Sequence, residues 1–345
     1  MKKDKVLVIG YFGYKTNQLD GQTVKTRNIY ELLLNKYEGF VNYIDTQDLR
    51  YNSLRILCCF FKNIFTCKTI IYLPAHKNFK YLFPVLFILS ICLRFKIIYI
   101  VVGGWLVEFI SNKPLHRFMI KNISHIYTEN QLMCKQLSDK YKIINSTRIP
   151  NFRYGEFIPD INENSEGKLK IVFMARINKM KGLDIVFSIA DLILENNYDN
   201  KISIDFYGPI FQDDKEYFES NLNKYDFISY NGVVQPDDIP LVLNKYDLLL
   251  FPTHYYTEGF PGSILDSYRA GIPVIATNWK HAEEFVIDGK SGFIVPFEKN
   301  VDIIWSKILF ILNNRSALLE MKYMAYKESL KYSPDAAWNI ISKSL

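Results

Sequence analysis

Cysteine is scarce: Cys58, Cys59, Cys67, Cys92 and Cys134 are the only five in 345 residues, and none forms a C-x-x-C pair. That excludes a disulfide framework and a cysteine-built zinc module, and the apolar neighbours of these residues predict reduced core thiols in a cytosolic protein. Histidine is equally sparse. His76, His116, His125, His254 and His281 show no H-E-x-x-H or comparable ligand spacing, so neither a metal site nor a metal cofactor is expected. No G-x-G-x-x-G follows the first strand-like run, which argues against a bound dinucleotide. The longest apolar run, Tyr81 to Leu93, has 13 residues, short of the ~20 that cross a bilayer as a helix. MKKDKVLVIG passes into a strand without a cleavage site, so no signal peptide is expected. The 16 Gly and 13 Pro are too few for collagen-like or low-complexity architecture.

What is present is a chain with 49% hydrophobic and 23% charged residues, long enough to fill two cores. The net charge of +6 conceals a division. Residues 1–157 hold 23 Lys/Arg against 10 Asp/Glu, a net of +13, and the remainder holds 19 against 26, a net of −7. Between Arg50 and Thr128, eleven basic residues face one acid, Glu108. Such asymmetry points to an anionic partner for the first half.

Short β-branched runs alternate with amphipathic segments throughout, the pattern of parallel sheets covered by helices. Strands are predicted at 6–9, 41–44, 69–73, 97–102 and 125–128, then at 169–174, 201–207, 228–230, 247–251, 273–277 and 293–295. Helices are predicted at 21–35, 54–65, 79–93, 130–140, 182–196, 213–224, 262–270 and 301–313. A last short helix starts at Ser333-Pro334. Residues 151–168, rich in polar residues with Pro159, Asn162, Asn164, Ser165 and Gly167, form the best linker candidate.

The most informative stretch is FPTHYYTEGFPGSILDSYRAGIPVIAT, residues 251–277. A buried strand leads through a polar loop into a helix at Pro261-Gly262-Ser263, whose first N–H groups lack intrahelical partners and suit a phosphate. Glu258 stands just before that helix and Asp266 about one turn into it, so two carboxylates could hold polyol groups on either side of a phosphate. An ordinary strand-to-helix crossover with a Gly-rich turn explains the spacing about equally well. A second constellation, FMARINKMKGLDIV at 173–186, places Arg176 at a strand end and Lys181 before Gly182 and a helix. Two cations around a tight loop can clamp a diphosphate, Arg through its planar fork and Lys as a point charge.

Together these residues resemble the retaining glycosyltransferases of family 4. The family pattern is E-G-F-G or E-G-F-P, a second carboxylate, and A-x-G-x-P-V-I-A, preceded by R-x4-K-G. It is matched here by Glu258 to Pro261, Asp266, Ala270 to Ala276, and Arg176 with Lys181-Gly182. Asn151 falls where the family often has P-N, which extends the resemblance over nearly the whole chain. The resemblance implies the GT-B fold: two doubly wound Rossmann-like α/β domains facing a central cleft, with a C-terminal helix crossing back to the first. It implies an acceptor-binding domain at 1–157, joined by the helix at about 333–345, and a nucleotide-sugar-binding domain at 158–332.

Roles follow residue by residue. Arg176 and Lys181 would bind the donor diphosphate and stabilise the leaving nucleotide, replacing a metal ion. Glu258 would bind donor-sugar hydroxyls, and Gly259, Phe260, Gly262 and Ser263 would meet the donor, the last two by backbone N–H to phosphate. Asp266 stands where the family usually has Glu on the ribose hydroxyls, one methylene short. Tyr207-Gly208-Pro209 and Asn231-Gly232-Val233 fit loops around the base, so Gly208, Gly232 and Val233 join the donor set. In the first half, Gly21 is a donor-phosphate candidate, and Gly13, His76, Gly103, Gly104 and Trp105 are acceptor or cleft candidates. Many relatives carry a His near Gly103 that faces the reaction centre; here it is absent.

The reading is a metal-independent, retaining transferase moving a sugar from a UDP-sugar to a glycan acceptor. The favoured acceptor is a lipid-linked glycan of a bacterial surface polysaccharide. No nucleic-acid motif accompanies the basic half. An anionic membrane surface fits it better, and a cytoplasmic protein peripheral to the inner face of the membrane is expected. The run Phe79 to Leu93 is apolar nearly all round, so burial in the core is its leading explanation. Two alternatives stay open: a nucleotide-sugar 2-epimerase on the same fold, and a donor-binding or scaffold subunit without turnover.

Overall fold

A computed structural model describes residues 4–18, 20–51, 53–161 and 167–345. The linker candidates Asn162, Asn164 and Ser165 lie outside the described residues, and 151–161 with 167–168 form neither helix nor strand. The chain divides into two compact units, 1–154 with 332–345, and 155–331. The first carries 24 Lys/Arg against 10 Asp/Glu and the second 18 against 26.

Unit 1 is built on six parallel strands: β1 (Lys5–Gly10), β2 (Phe40–Asp45), β3 (Thr69–Leu73), β4 (Lys96–Ile100), β5 (His125–Thr128) and β6 (Ser146–Arg148). They lie in the order β2-β1-β3-β4-β5-β6. Strands covered on both faces read as continuous apolar runs, and all five residues of β3 are buried. The helices are α1 (Gly21–Lys36), α2 (Ser53–Ile64), α3 (His76–Leu93), α4 (Leu106–Ser111), α5 (Pro114–Lys121) and α6 (Gln131–Tyr141). One core joins Ile64 of α2, Phe79, Phe83 and Phe87 of α3, Ile110 of α4 and Met119 of α5 to one face of the sheet. On the other face Ile29, Leu32 and Leu33 of α1 pack with Val6, Val8, Ile98 and Ile100.

Unit 2 repeats the plan with β7 (Leu169–Met174), β8 (Ile202–Tyr207), β9 (Ile228–Tyr230), β10 (Leu248–Phe251), β11 (Val274–Thr277) and β12 (Gly292–Val295). Their order is β12-β11-β10-β7-β8-β9, again all parallel. Its helices are α7 (Leu183–Glu195), α8 (Lys215–Leu222), α9 (Ile239–Leu243), α10 (Gly262–Arg269), α11 (Val301–Asn313) and α12 (Arg315–Ser329). Asp247, just before β10, accepts from Lys170 N at 3.0 Å and from Lys322 Nζ of α12 at 2.7 Å, tying that helix to the sheet.

The last helix, α13 (Pro334–Ile341), is capped by Ser333, whose hydroxyl accepts from Ala336 N at 3.2 Å. It belongs to unit 1, where Ala337 and Ile341 enter the α1-side core and Tyr127 Oη donates to Ile340 O at 3.1 Å.

Two expectations need correction. Only Cys67 and Cys134 are core thiols, and burial pushes the Cys67 thiol up to about 11; Cys58, Cys59 and Cys92 are exposed. Nor is Phe79 to Leu93 buried all round: Phe79, Phe83, Leu86 and Phe87 face the core, while Val85, Ile88 and Ile91 face outward. Both errors have one cause. Cys58 and Cys59 lie near the exposed Phe61, and Cys92 beside the exposed Ile91, so apolar neighbours in sequence do not mean burial. Among the described residues no helix is long and apolar enough to cross a membrane.

Candidate active site

In an open parallel sheet the strand order reverses at one point, and ligands lie outside the carboxyl ends of the strands there. In unit 2 that point falls between β7 and β10. β7 ends at Met174 and is followed by Arg176 and a 3-10 turn, Lys179–Lys181. β10 ends at Phe251 and is followed by the loop that carries Glu258 into α10.

Local chemistry fixes the two loops against each other. Asn178 Oδ1 accepts from Lys181 N at 2.9 Å and closes the turn. The chain then passes Gly182 at φ 84°, where an added Cβ would lie 1.9 Å from Pro252 O. Only glycine permits this approach. His254 N donates to Met180 O at 3.0 Å, a second link between the loops.

Lys181 Nζ consequently donates to Glu258 Oε1 in direct contact, with the two side chains 27% and 13% exposed. Thr253 Oγ1 donates to the same carboxylate oxygen at 3.3 Å, and Thr277 Oγ1 donates to Thr253 O at 2.7 Å. His254 Nε2 stands 3.0 Å from Asp184 Oδ1. Neither Thr253 nor Asp184 is one of the motif residues, although Thr253 lies inside the stretch 251–277 and Asp184 inside 173–186.

Arg176 is exposed at the end of β7. Beside it Gly208, at φ 131°, lets the end of β8 close in: a Cβ there would lie 1.9 Å from Ala175 O. Gly208 N donates to Gly232 O at 2.9 Å, so Arg176, Gly208 and Gly232 follow one another across the ends of β7, β8 and β9. Val233 is exposed next to Gly232. At the other flank α10 starts at Pro261 with no side-chain cap, and Gly262 and Ser263 are half-buried. Gly259 is buried, and the buried Phe260 ring stacks on Phe285 at 4.2 Å, so that ring anchors the loop and offers a ligand only its backbone. Asp266 is buried on α10, 6% exposed.

Residues 155–328, just over half of the chain, match the family model described as glycosyl transferases group 1. The chain belongs to that family. The resemblance read over nearly the whole sequence is thus matched by the family model over its second half. Over 183 residues the chain is 27% identical to an uncharacterized 41.2 kDa protein in the cps region of Klebsiella pneumoniae, covering 51% of this chain and 48% of that protein. Over 150 residues it is 27% identical to the capsular polysaccharide biosynthesis glycosyltransferase CapM of Staphylococcus aureus, covering 42% of this chain and 37% of CapM. The chain spans half or less of the length of these curated relatives. Among solved structures, the Anabaena protein Alr3699/HepE in complex with UDP and glucose superposes with a TM-score of 0.75 at 15% identity, covering 99% of both chains. Sucrose-phosphate synthase from Thermosynechococcus elongatus gives 0.74 at 14% identity, covering 99% of this chain and 98% of that one. That likeness is one of fold, and it bears out two Rossmann-like α/β units.

In this group 1 glycosyl transferase the sheet of unit 1 reverses between β1 and β3. The loop after β1 is pinned on all sides: Phe12 N and Tyr14 N donate to Asp45 at 3.0 and 3.3 Å. Arg27 donates to Phe12 O, Gly13 O and Gln18 O at 2.8–3.2 Å. Gly13 is buried in that loop at φ 67°. Gly21 opens α1 in the open, while the Asp20 carboxylate accepts from Gln22 N and Thr23 N beside it. After β3, the exposed His76 ring lies 4.9 Å from both Trp105 and Phe109. Its pKa is lowered, first by burial against those rings and then by Lys113 and Lys80, which favours the neutral imidazole. Gly103, half-buried at φ 83°, and the buried Gly104 lead from β4 to Trp105, whose Nε1 donates to Val102 O at 2.7 Å. His76, Gly103 and Trp105 therefore form one cluster, which the sequence order alone did not show. Behind it Lys25, buried, donates to Glu129 at 2.6 Å and to Val101 O at 3.0 Å.

Proposed function

We propose that the chain is a retaining, metal-independent glycosyltransferase that moves a sugar from a UDP-sugar to a lipid-linked glycan during bacterial surface polysaccharide synthesis. The observation that carries the reading is the meeting of Lys181 and Glu258 at the reversal point of unit 2, with Arg176 on the same strand end as Lys181. Opposite charges on two central strand ends suit a donor with both an anionic and a polyol part. The diphosphate takes Arg176, Lys181 and the first N–H groups of α10. The sugar hydroxyls take Glu258, and Asp266 serves the ribose.

In the reaction the bond from the anomeric carbon to the phosphate oxygen breaks. The acceptor oxygen bonds that carbon on the same face, and the acceptor proton passes to the leaving phosphate. Arg176 and Lys181 stabilise the charge that develops on the diphosphate, which is the role a metal ion would otherwise take. The basic unit 1 supplies the acceptor side, at the inner face of the membrane.

Nucleotide binding tests the reading most directly. UDP at about 100 times its Kd is expected to stabilise the fold by about 2.7 kcal/mol. In a domain of this size that raises the melting midpoint by roughly 5–10 °C. ADP and GDP are expected to do less. No shift with any nucleoside diphosphate would sink the donor site, and rapid conversion of the donor sugar without acceptor would mark an epimerase instead. Retention is read from the anomeric configuration of the product by NMR.

A further inference from the structure

Helix α3 presents two apolar faces, and among the described residues the outward one stays exposed. Phe79, Phe83, Leu86 and Phe87 enter the core. On the opposite side Tyr81, Val85, Ile88 and Ile91 are 56–64% exposed. Helix α5, which meets α3 where Phe118 lies 6.3 Å from Phe87, adds Leu115 and Phe118, each 61% exposed. The outward side of α1 instead mixes Leu34 with Glu31, Asn35 and Lys36, and that of α12 mixes Tyr323 with Ser316, Glu320 and Lys327. Scattered apolar residues on a surface mean little, whereas a contiguous apolar face marks an interaction site.

The charge around this face identifies its occupant. Lys77 and Lys80 stand exposed at the start of α3, Arg94 and Lys96 at its end, and Lys121 at the end of α5. Within residues 50–128 the only acid is Glu108. Lys80 Nζ lies 4.8 Å from the Tyr81 ring, a cation and an amphipathic aromatic together at the rim. An apolar strip framed by cations matches a leaflet whose acyl boundary takes the strip and whose anionic headgroups take the rim. A nucleic acid would use the cations and leave the isoleucines in water. We propose that the outward face of α3 with α5 docks unit 1 on an anionic lipid leaflet. This rests on the transferase reading only for its purpose, bringing the acceptor domain to a lipid-linked glycan; the surface itself is argued from unit 1 alone.

The test is co-sedimentation of the full chain with vesicles of phosphatidylcholine, alone or mixed with phosphatidylglycerol, at low and high salt. Binding is expected only to the anionic vesicles and is expected to weaken with salt. Lys77→Ala with Lys80→Ala is expected to weaken it roughly 30-fold. Ile88→Glu with Ile91→Glu is expected to weaken it by at least about 100-fold, because two aliphatic side chains no longer leave water. Tyr323→Glu, an equally exposed site on unit 2, leaves binding unchanged. With Cys58→Ser and Cys59→Ser, an environment-sensitive dye on the exposed Cys92 reports insertion by a blue shift that appears only with anionic vesicles.

Equal binding to neutral vesicles overturns the proposal, as does wild-type binding by the folded Ile88/Ile91 variant. So does a blue shift that follows protein concentration without lipid, which would assign the face to a second copy of the chain. UDP stabilisation is untouched by these variants, so its loss in the parent protein would defeat the transferase reading and leave the vesicle result standing.

Discussion

Glu258→Gln is expected to lower kcat by about 100- to 1,000-fold, the range for removing one preorganised electrostatic group from an enzyme site. The substitution keeps the shape and an acceptor for the Thr253 hydroxyl while removing the charge that meets Lys181. Lys181→Ala is expected to cost a comparable factor, and the two together far less than the product of the singles, since they act as one unit. Steady-state transfer from UDP-sugar with a saturating acceptor reads both effects. Full activity in either single variant, with the fold intact by melting, overturns the assignment of the pair.

Gly182→Ala is expected to be among the most damaging conservative changes, with Gly208→Ala beside it. At position 182 the new methyl would sit 1.9 Å from Pro252 O, against backbone that cannot rotate away, at a φ of 84° that L side chains rarely adopt. A loss of roughly 3–4 kcal/mol follows, since a steric conflict and backbone strain coincide. For a unit of this size the melting midpoint falls by about 6–16 °C. Gly232→Ala is the control: it shares a positive φ, 77°, but has nothing within 4 Å of the added methyl, so its loss is expected to be the smaller. Equal melting of the two variants would show that the close approach to Pro252 contributes nothing.

Much of this molecule was legible in its sequence, and the misses have physical causes. Eleven of the twelve described strands are legible as apolar or β-branched runs, most plainly Thr69–Leu73, where a parallel strand covered on both faces hides every side chain. β6 went unread since Ser146–Arg148 is three polar residues at a sheet edge, too short to carry a period. Helix α12 was missed although Leu318, Met321 and Ala325 recur at helical spacing; that signal was there to find. α4 and α5 are short pieces on either side of Lys113-Pro114, and neither fills a helical window.

The R-x4-K-G and E-G-F-P motifs lie after β7 and β10, on either side of the point where the sheet order reverses. The sequence assigned Lys181 and Glu258 to different parts of the donor, and their contact could not be read from it. It depends on a sheet order that puts β7 beside β10, 77 residues apart in the pairing of Lys181 with Glu258. The pinning of the Gly13 loop, by Asp45 on Phe12 and Tyr14 and by Arg27 on Gly13, is hidden from sequence for the same reason: a loop's partners lie on strands and helices that only the fold brings near.

The return of α13 to unit 1 also bears on the order in which the protein can be made. A ribosome delivers the chain from its first residue, so the sheet of unit 1 emerges early while the piece that completes its α1-side core, Ala337 and Ile341, emerges only after all of unit 2. During that interval Tyr127 lacks its Ile340 partner, and the surface that α13 will cover stays open to chaperones and to other nascent chains. Unit 2, continuous from 155 to 331, has no such wait. Synthesis therefore closes the second unit before it can close the first.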